Sequence, residues 1–137
     1  MIFKNLTKSF YINSLIIFSI FIIDRISKIY VIRLDSKNYS TDLFSSKFLN
    51  INLIWNDGIA FGLLSFDQSN LYNVLTLIIA LIIIIVFYMI VKSNNIKQYP
   101  LLMIFGGAIG NLYDRITFKA VPDFIDFHIG EFHWFIF

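Results

Sequence analysis

QSNLYNVLTLIIALIIIIVFYMIV, residues 68–91, is a run of 24 residues without a charged side chain, bracketed by Asp67 and Lys92. This run decides the class of fold. A helix needs about 20 residues to cross the roughly 30 Å hydrocarbon core of a bilayer, and from residue 71 onward the run is almost wholly apolar. The composition agrees: 58% of the chain is hydrophobic, 15% is charged and 16 residues are Phe, with a mean hydropathy of +0.74. A soluble domain carries about 25% charged residues, so a membrane protein is expected, and 137 residues are enough for a single membrane domain spanning 1–137.

Working outward, two shorter uncharged runs each end in an Asp–Arg pair. Ser9–Ile23 leads into Asp24–Arg25, and Gln98–Tyr113 leads into Asp114–Arg115. At 1.5 Å per residue, runs of this length reach only about 22–24 Å. Each helix must therefore carry its Asp–Arg pair to the far edge of the hydrocarbon or just inside it. Lys4 and Lys8 ahead of an apolar run resemble the start of a secretory signal peptide, but no small-residue cleavage site precedes Asp24. The apolar run also resumes through Ile29, Tyr30, Val31 and Ile32, as an uncleaved first helix would. The expected helices are about 9–32, 69–91 and 98–115.

Charge sets the expected orientation. Residues 1–23 and 70–112 carry lysines and no acid, whereas residues 24–69 carry equal numbers of acidic and basic side chains. The positive-inside rule then puts the N-terminus and the Lys92–Lys97 connection in the cytoplasm. Helices one and three run outward, so Asp24 and Asp114, far apart in sequence, finish at one outer interface. Between helices one and two, Leu49, Ile51, Leu53 and Trp55 alternate with Asn50, Asn52 and Asn56, the signature of a half-buried strand. Asn56-Asp57-Gly58 is a turn signal, and Ile59–Leu64 is expected to return as a partner strand. A small extracytoplasmic β region over about 44–66 follows, with Trp55 and Phe61 at headgroup level. Residues 117–132 read as an outer loop broken by Pro122 and Gly130. From Phe132 the chain turns apolar, like the entry to a fourth helix.

Several residues are candidates for chemistry. Gly106 and Gly110 form a GxxxG pair suited to close helix contact. Asn111 lies about one turn from Asp114 and could hydrogen-bond a carboxylate or a peptide. Asp114 could pair with Arg115 or with a base on helix one. Asp24 and Lys28 share a helix face. Asp123 sits between Pro122 and Phe124–Ile125, an apolar setting that raises a carboxyl pKa and lets it share a proton with a second carboxylate. Such a pair can activate water for peptide hydrolysis. Asp126 reads as a turn or cap carboxylate. His128 and His133 alone are too few for a metal site, so no metal and no cofactor are expected. A net charge of +2 makes no case for nucleic acid, and with no cysteine there is no thiolate nucleophile.

Four motifs, in order and covering nearly the whole chain, resemble those of the lipoprotein signal peptidases (signal peptidase II), bacterial membrane aspartic proteases. Asp24-Arg25-Ile26-Ser27-Lys28 is similar to the family's Asp-x-x-Ser/Thr-Lys motif, and Asn56-Asp57-Gly58-Ile59-Ala60-Phe61-Gly62 to its Asn-x-Gly-x-Ala-Phe-Gly/Ser motif. Residues 106–115 resemble its Gly-Gly-Ala-x-Gly-Asn-x-x-Asp-Arg box, and Val121-Pro122-Asp123-Phe124 its Val-x-Asp-Phe box. The resemblance implies four membrane helices with both termini cytoplasmic, an active site at the outer face of the bacterial inner membrane, and no metal. The implied activity is removal of signal peptides from prolipoproteins whose Cys carries diacylglycerol. The implied partners are those substrates and membrane lipids, with the enzyme acting as a monomer.

Carried over residue by residue, the resemblance makes Asp123 the first catalytic aspartate. Asn56, Gly58, Asn111, Asp114 and Arg115 would order the site and the substrate backbone, and Asp24 and Lys28 would support it from helix one. The family's second catalytic aspartate belongs to a Phe-Asn-x-Ala-Asp motif whose Phe corresponds to Phe137. The chain as given is therefore expected to lack that aspartate and the fourth helix, and to be inactive alone. The expected fold is an all-α polytopic membrane protein, three transmembrane helices present, with a small extracytoplasmic β-sheet. The rival reading is a non-enzymatic membrane binding or transport subunit with the Asp–Arg pairs as helix locks.

Overall fold

The computed structural model describes residues 2–38, 42–58, 69–93 and 95–136. Three helices dominate: α1 (Ile2–Asn38), α2 (Ser69–Lys92) and α3 (Gln98–Phe118). With them are four strands, β1 (Asp42–Ser45), β2 (Leu49–Asn56), β3 (Val121–Ile129) and β4 (Phe132–Ile136). By length and composition, one helical segment among the described residues, Tyr72–Lys92, is long and apolar enough to cross a membrane.

The second helix ends in Lys92, and a short 3₁₀ turn (Asn95–Lys97) leads into α3. Gln98 ties the three helices together at this end. Its Oε1 accepts from Asn13 Nδ2 of α1 at 3.0 Å, and its Nε2 donates to the Ile90 carbonyl of α2 at 3.0 Å. The third helix is central and packs on both others. Leu102 is fully buried, and the rings of Phe87 and Phe105 meet at 5.6 Å between α2 and α3.

Small residues set the contact with α1. A Cβ built on Gly106 would lie 2.9 Å from Ile20 Cβ and 3.1 Å from the Ile17 carbonyl oxygen. One built on Gly110 would lie 2.8 Å from Asp24 Cγ, whereas Gly107 has nothing within 4 Å. The GxxxG pair thus lies against α1 with no room for a side chain at either glycine. The faces turned away from these contacts are apolar and exposed: Leu15, Phe18, Ile23 and Ile26 on α1, Leu77, Leu81, Ile84 and Ile85 on α2, and Met103, Ile104 and Ile116 on α3.

At the far end, α3 stops at Lys119, whose φ of 60° is left-handed. That conformation ends a helix by turning the chain out of its path, here into β3. The sheet is antiparallel in the order β1-β2-β3-β4. In register, Asn56 faces Val121, Ile54 faces Asp123, Asn50 faces Asp126 and His128 faces His133.

The sheet corrects the sequence reading at the tail. Residues expected as an outer loop form β3, and those expected to begin a fourth helix form β4 as far as Ile136. Gly130, at φ 62°, is the hairpin turn between them. Pro122 does not break the strand because β4 pairs with β3 only from Asp126 onward, which leaves this end of β3 a sheet edge among the described residues, where Pro is tolerated. It is fully buried opposite Trp55. Asp123 and Asp126, which made the segment look polar, have their hydrogen bonds met inside the sheet. The partners of β2 among the described residues are therefore β1 and β3. The return strand expected at 59–64 lies outside the described residues, as does Phe61.

Candidate active site

Helix one brings three charges to one face. Asp24 and Lys28 are one turn apart, and Lys28 Nζ lies 3.0 Å from Asp24 Oδ1. Arg25 reaches across to α3, where its guanidinium grips both oxygens of Asp114 through Nη1 and Nη2, the latter at 2.7 Å from Oδ2. It also donates through Nη2 to the Gly110 carbonyl at 3.2 Å, and through Nε to Asp24 Oδ2 at 3.0 Å. Lys28 Nζ donates to Asp114 Oδ2 at 2.6 Å and to Asn111 Oδ1 at 2.7 Å.

Asp114 has no exposure to solvent. The alternative left open by the sequence is resolved toward helix one: its partners are Arg25 and Lys28. Two acids against two bases leave this cluster neutral, the condition under which buried charge is tolerable. Arg25 was the member of the cluster that sequence reasoning undervalued. The available signal was its place in the first Asp–Arg pair. Its guanidinium also lies 5.0 Å from the centre of the Tyr113 ring, which covers a cation that Lys could not present as a fork.

Arg115, the next residue, points elsewhere. Its Nη2 donates to the Gly58 carbonyl, and its own carbonyl accepts from Tyr72 Oη at 3.2 Å. The Tyr72 hydroxyl thus locks α2 to the end of α3, a role with no motif to reveal it. Arg115 Nη1 is buried without a hydrogen-bond partner among the described residues. Gly58 in turn donates its N–H to Asn56 Oδ1 at 3.0 Å, fixing the amide so that Asn56 Nδ2 donates to Asp123 Oδ2 at 2.8 Å. Asn56 and Asp123 are diagonal neighbours across β2 and β3, a spacing that side chains of this length can bridge.

Asp123 is half-buried at the junction of sheet and helices. Burial pushes its carboxyl above the usual carboxylate range and nearby Asp114 adds to this, while the Asn56 amide and the positive charges of Lys28 and Arg115 pull the other way. Burial wins. The residues nominated from sequence therefore fall into two adjoining groups joined by the Asp114–Arg115 peptide. One is the ion cluster of Asp24, Lys28, Asn111 and Asp114, and the other is the chain Arg115–Gly58–Asn56–Asp123. Asp126, read as a turn carboxylate, is instead a buried member of the sheet bonded to His133 at 2.8 Å. A cavity of about 300 Å³ lined by Phe21, Arg25, Lys28, Ile32, Tyr113 and Phe118 opens beside the ion cluster.

Comparison with known proteins gives a consistent family. The family model described as signal peptidase (SPase) II matches residues 16–137. A lipoprotein signal peptidase of Pelagibacter ubique (strain HTCC1062) is 52% identical over 130 residues, covering 95% of this chain and 78% of that protein. A second, from Anaplasma marginale (strain Florida), is 38% identical, covering 93% of this chain and 74% of its own length. Two solved structures described as bacterial membrane enzymes superpose with TM-scores of 0.68 and 0.65, at 32% and 30% identity. They cover 90% of this chain in each case, and 76% and 80% of their own lengths.

Proposed function

The chain belongs to the signal peptidase II family, and we propose that it removes signal peptides from diacylglyceryl-modified prolipoproteins, with Asp123 as one of two catalytic carboxylates. The observation that carries the assignment is the state of Asp123. Among the described residues of this region it is the carboxylate held by a neutral amide rather than by a cation, with its affinity for protons raised by burial. Such a group can take up and give back a proton in the course of a reaction.

In the reaction, one carboxylate accepts a proton from water as the water oxygen attacks the peptide carbonyl carbon. The other, protonated, donates to the carbonyl oxygen. The protons then return as the carbon–nitrogen bond breaks and the amine leaves. Both oxygens of Asp114 are taken up by its ion pairs with Arg25 and Lys28, and Asp126 is engaged by His133, so neither is free to serve as the second acid.

The remaining nominated residues position these groups. Asn56 and Gly58 orient Asp123, Arg115 holds the loop through the Gly58 carbonyl, and Asn111, Asp114, Asp24 and Lys28 brace α3 against α1. All three helices are assigned to the bilayer. The exposed apolar faces support this, and the 21 residues of α3 span about 32 Å, enough for the hydrocarbon core. The basic N-terminal region and the Lys92–Lys97 turn are assigned to the cytoplasm, which puts the sheet and Asp123 at the outer face of the bacterial inner membrane. Nothing favours the rival reading of a transport subunit, and α2 has no polar stripe.

The test is Asp123→Asn in the enzyme as its cell makes it, assayed for cleavage of a diacylglyceryl prolipoprotein. Precursor is expected to accumulate while the variant keeps its helical circular-dichroism spectrum. Normal cleavage by a folded Asn variant overturns the assignment.

A further inference from the structure

The sheet holds a second cluster of chemistry-bearing side chains, separate from Asp123 and unused by the peptidase reading. Asp126 and His128 are two residues apart on β3, so their side chains leave the same face of the strand. His133 is the register partner of His128 on β4, and the two imidazole rings stack at 5.5 Å with 29° between their planes. His133 Nδ1 lies 2.8 and 2.9 Å from the two oxygens of Asp126. One donor atom from each of the three residues lies within 4.8 Å of the other two.

Two observations mark this cluster as more than a hydrogen bond inside a hairpin. Asp126 is only 2% exposed, and among the described residues its sole partner is an imidazole. His128 Nδ1 is buried and has no hydrogen-bond partner among the described residues. A buried nitrogen without a partner is destabilising. An ion bound between the three side chains would satisfy both groups at once.

We propose that Asp126, His128 and His133 form a binding site for a divalent first-row transition ion, with zinc the best fit. Two imidazoles and a carboxylate suit that class of metal, and three protein ligands leave a fourth tetrahedral position for water. Around zinc at ordinary bond lengths, donor atoms sit about 3.3 Å apart. The present donor atoms, all within 4.8 Å of one another, lie somewhat wider than that and would draw together on binding. The ion bridges β3 and β4 and so clamps the strand that carries Asp123. Sequence reasoning rejected a metal because it counted two histidines and placed Asp126 in a turn. The strand register supplies the third ligand.

The chain contains two histidines and no cysteine, so any imidazole-coordinated metal must sit at this cluster. The experiment uses the full chain in detergent micelles without an affinity tag, stripped with chelator and titrated with Zn²⁺ by calorimetry. Zinc-edge X-ray absorption is then recorded on the loaded protein. The expected result is one ion per chain, an absorption signature with two imidazoles, and affinity about tenfold weaker or worse in His133→Ala and in His128→Ala. His133 is half-exposed, so its truncation tests the ligand with little risk to folding. Absence of stoichiometric zinc, a signature without imidazole, or affinity unchanged in the double histidine variant each overturns the site. The absorption spectrum of the unmodified chain decides the matter even if a variant fails to fold. None of these readouts depends on peptidase activity.

Discussion

Replacing Gly110 by Ala puts a methyl group where the Asp24 carboxylate already sits. The added Cβ would lie 2.8 Å from Asp24 Cγ and nearer still to Oδ2. Either the helices part or the carboxylate leaves. Forcing a methyl into a packed contact costs about 1–3 kcal/mol. Displacing the carboxylate forfeits a charge-assisted hydrogen bond to Arg25 or Lys28, a loss of about 1.5–3 kcal/mol. Ala also gains about 1 kcal/mol over Gly in a helix, which would blur a single measurement. Gly107→Ala removes that ambiguity, since it gains the same propensity on the same helix and meets nothing within 4 Å. The difference between the two variants therefore isolates the contact, and it is expected to reach at least about 2 kcal/mol. The assay is thermal unfolding in detergent micelles, where a gap of this size separates the midpoints by several degrees. Gly106→Ala, facing Ile20 and the Ile17 carbonyl, is expected to fall with Gly110→Ala. If Gly110→Ala unfolds within about 0.5 kcal/mol of Gly107→Ala, the close α1–α3 contact described above is wrong.

Other substitutions probe the charges. Lys28→Met leaves two acids against Arg25 in the buried cluster and is expected to destabilise by about 3–5 kcal/mol, measured by chemical or thermal unfolding. Restoring balance with Asp24→Asn in the same chain should recover part of the loss. Asn56→Ala removes the amide that lowers the proton affinity of Asp123, so the inflection of the kcat/KM–pH profile belonging to Asp123 should move to higher pH. A shift to lower pH would contradict the hydrogen bond. Because the folded-state pKa of Asp123 is raised, the folded protein holds its proton more tightly than the unfolded chain. That contribution to stability is fully present below the unfolded-state pKa and is lost as pH rises through the folded-state value. Asp123→Asn should accordingly flatten the fall in unfolding midpoint over that window, and an unchanged slope would place the titration elsewhere.

The legible part of this molecule was the part written in local pattern. The uncharged run ending at Val91 and the GxxxG spacing of Gly106 and Gly110 needed only composition and period. That Asp24 and Asp114 belong at one end of the helices followed from reading helix direction out of charge, whereas Lys28 and Asn111 joined them through the family resemblance. The strands at the tail were not legible, because Pro122, Gly130 and the two aspartates look like a loop until their partners are known. Asp126 could be placed inside the sheet only once the register set it against β2 and brought His133 beside it. Tyr72 gave no signal either, since its hydroxyl bond to the Arg115 carbonyl joins helices 43 residues apart. Pairings across that much sequence are set by packing, and a single chain read alone carries no record of them.

The buried cluster on α1 also constrains how the protein is made. Taken alone, α1 sets Asp24 against both Arg25 and Lys28, one positive charge in excess. Neutrality arrives only with Asp114, near the end of the third helix. Until that residue is made, water or another anion has to balance the excess. The charge balance of α1 is therefore completed by a side chain some ninety positions further along the sequence.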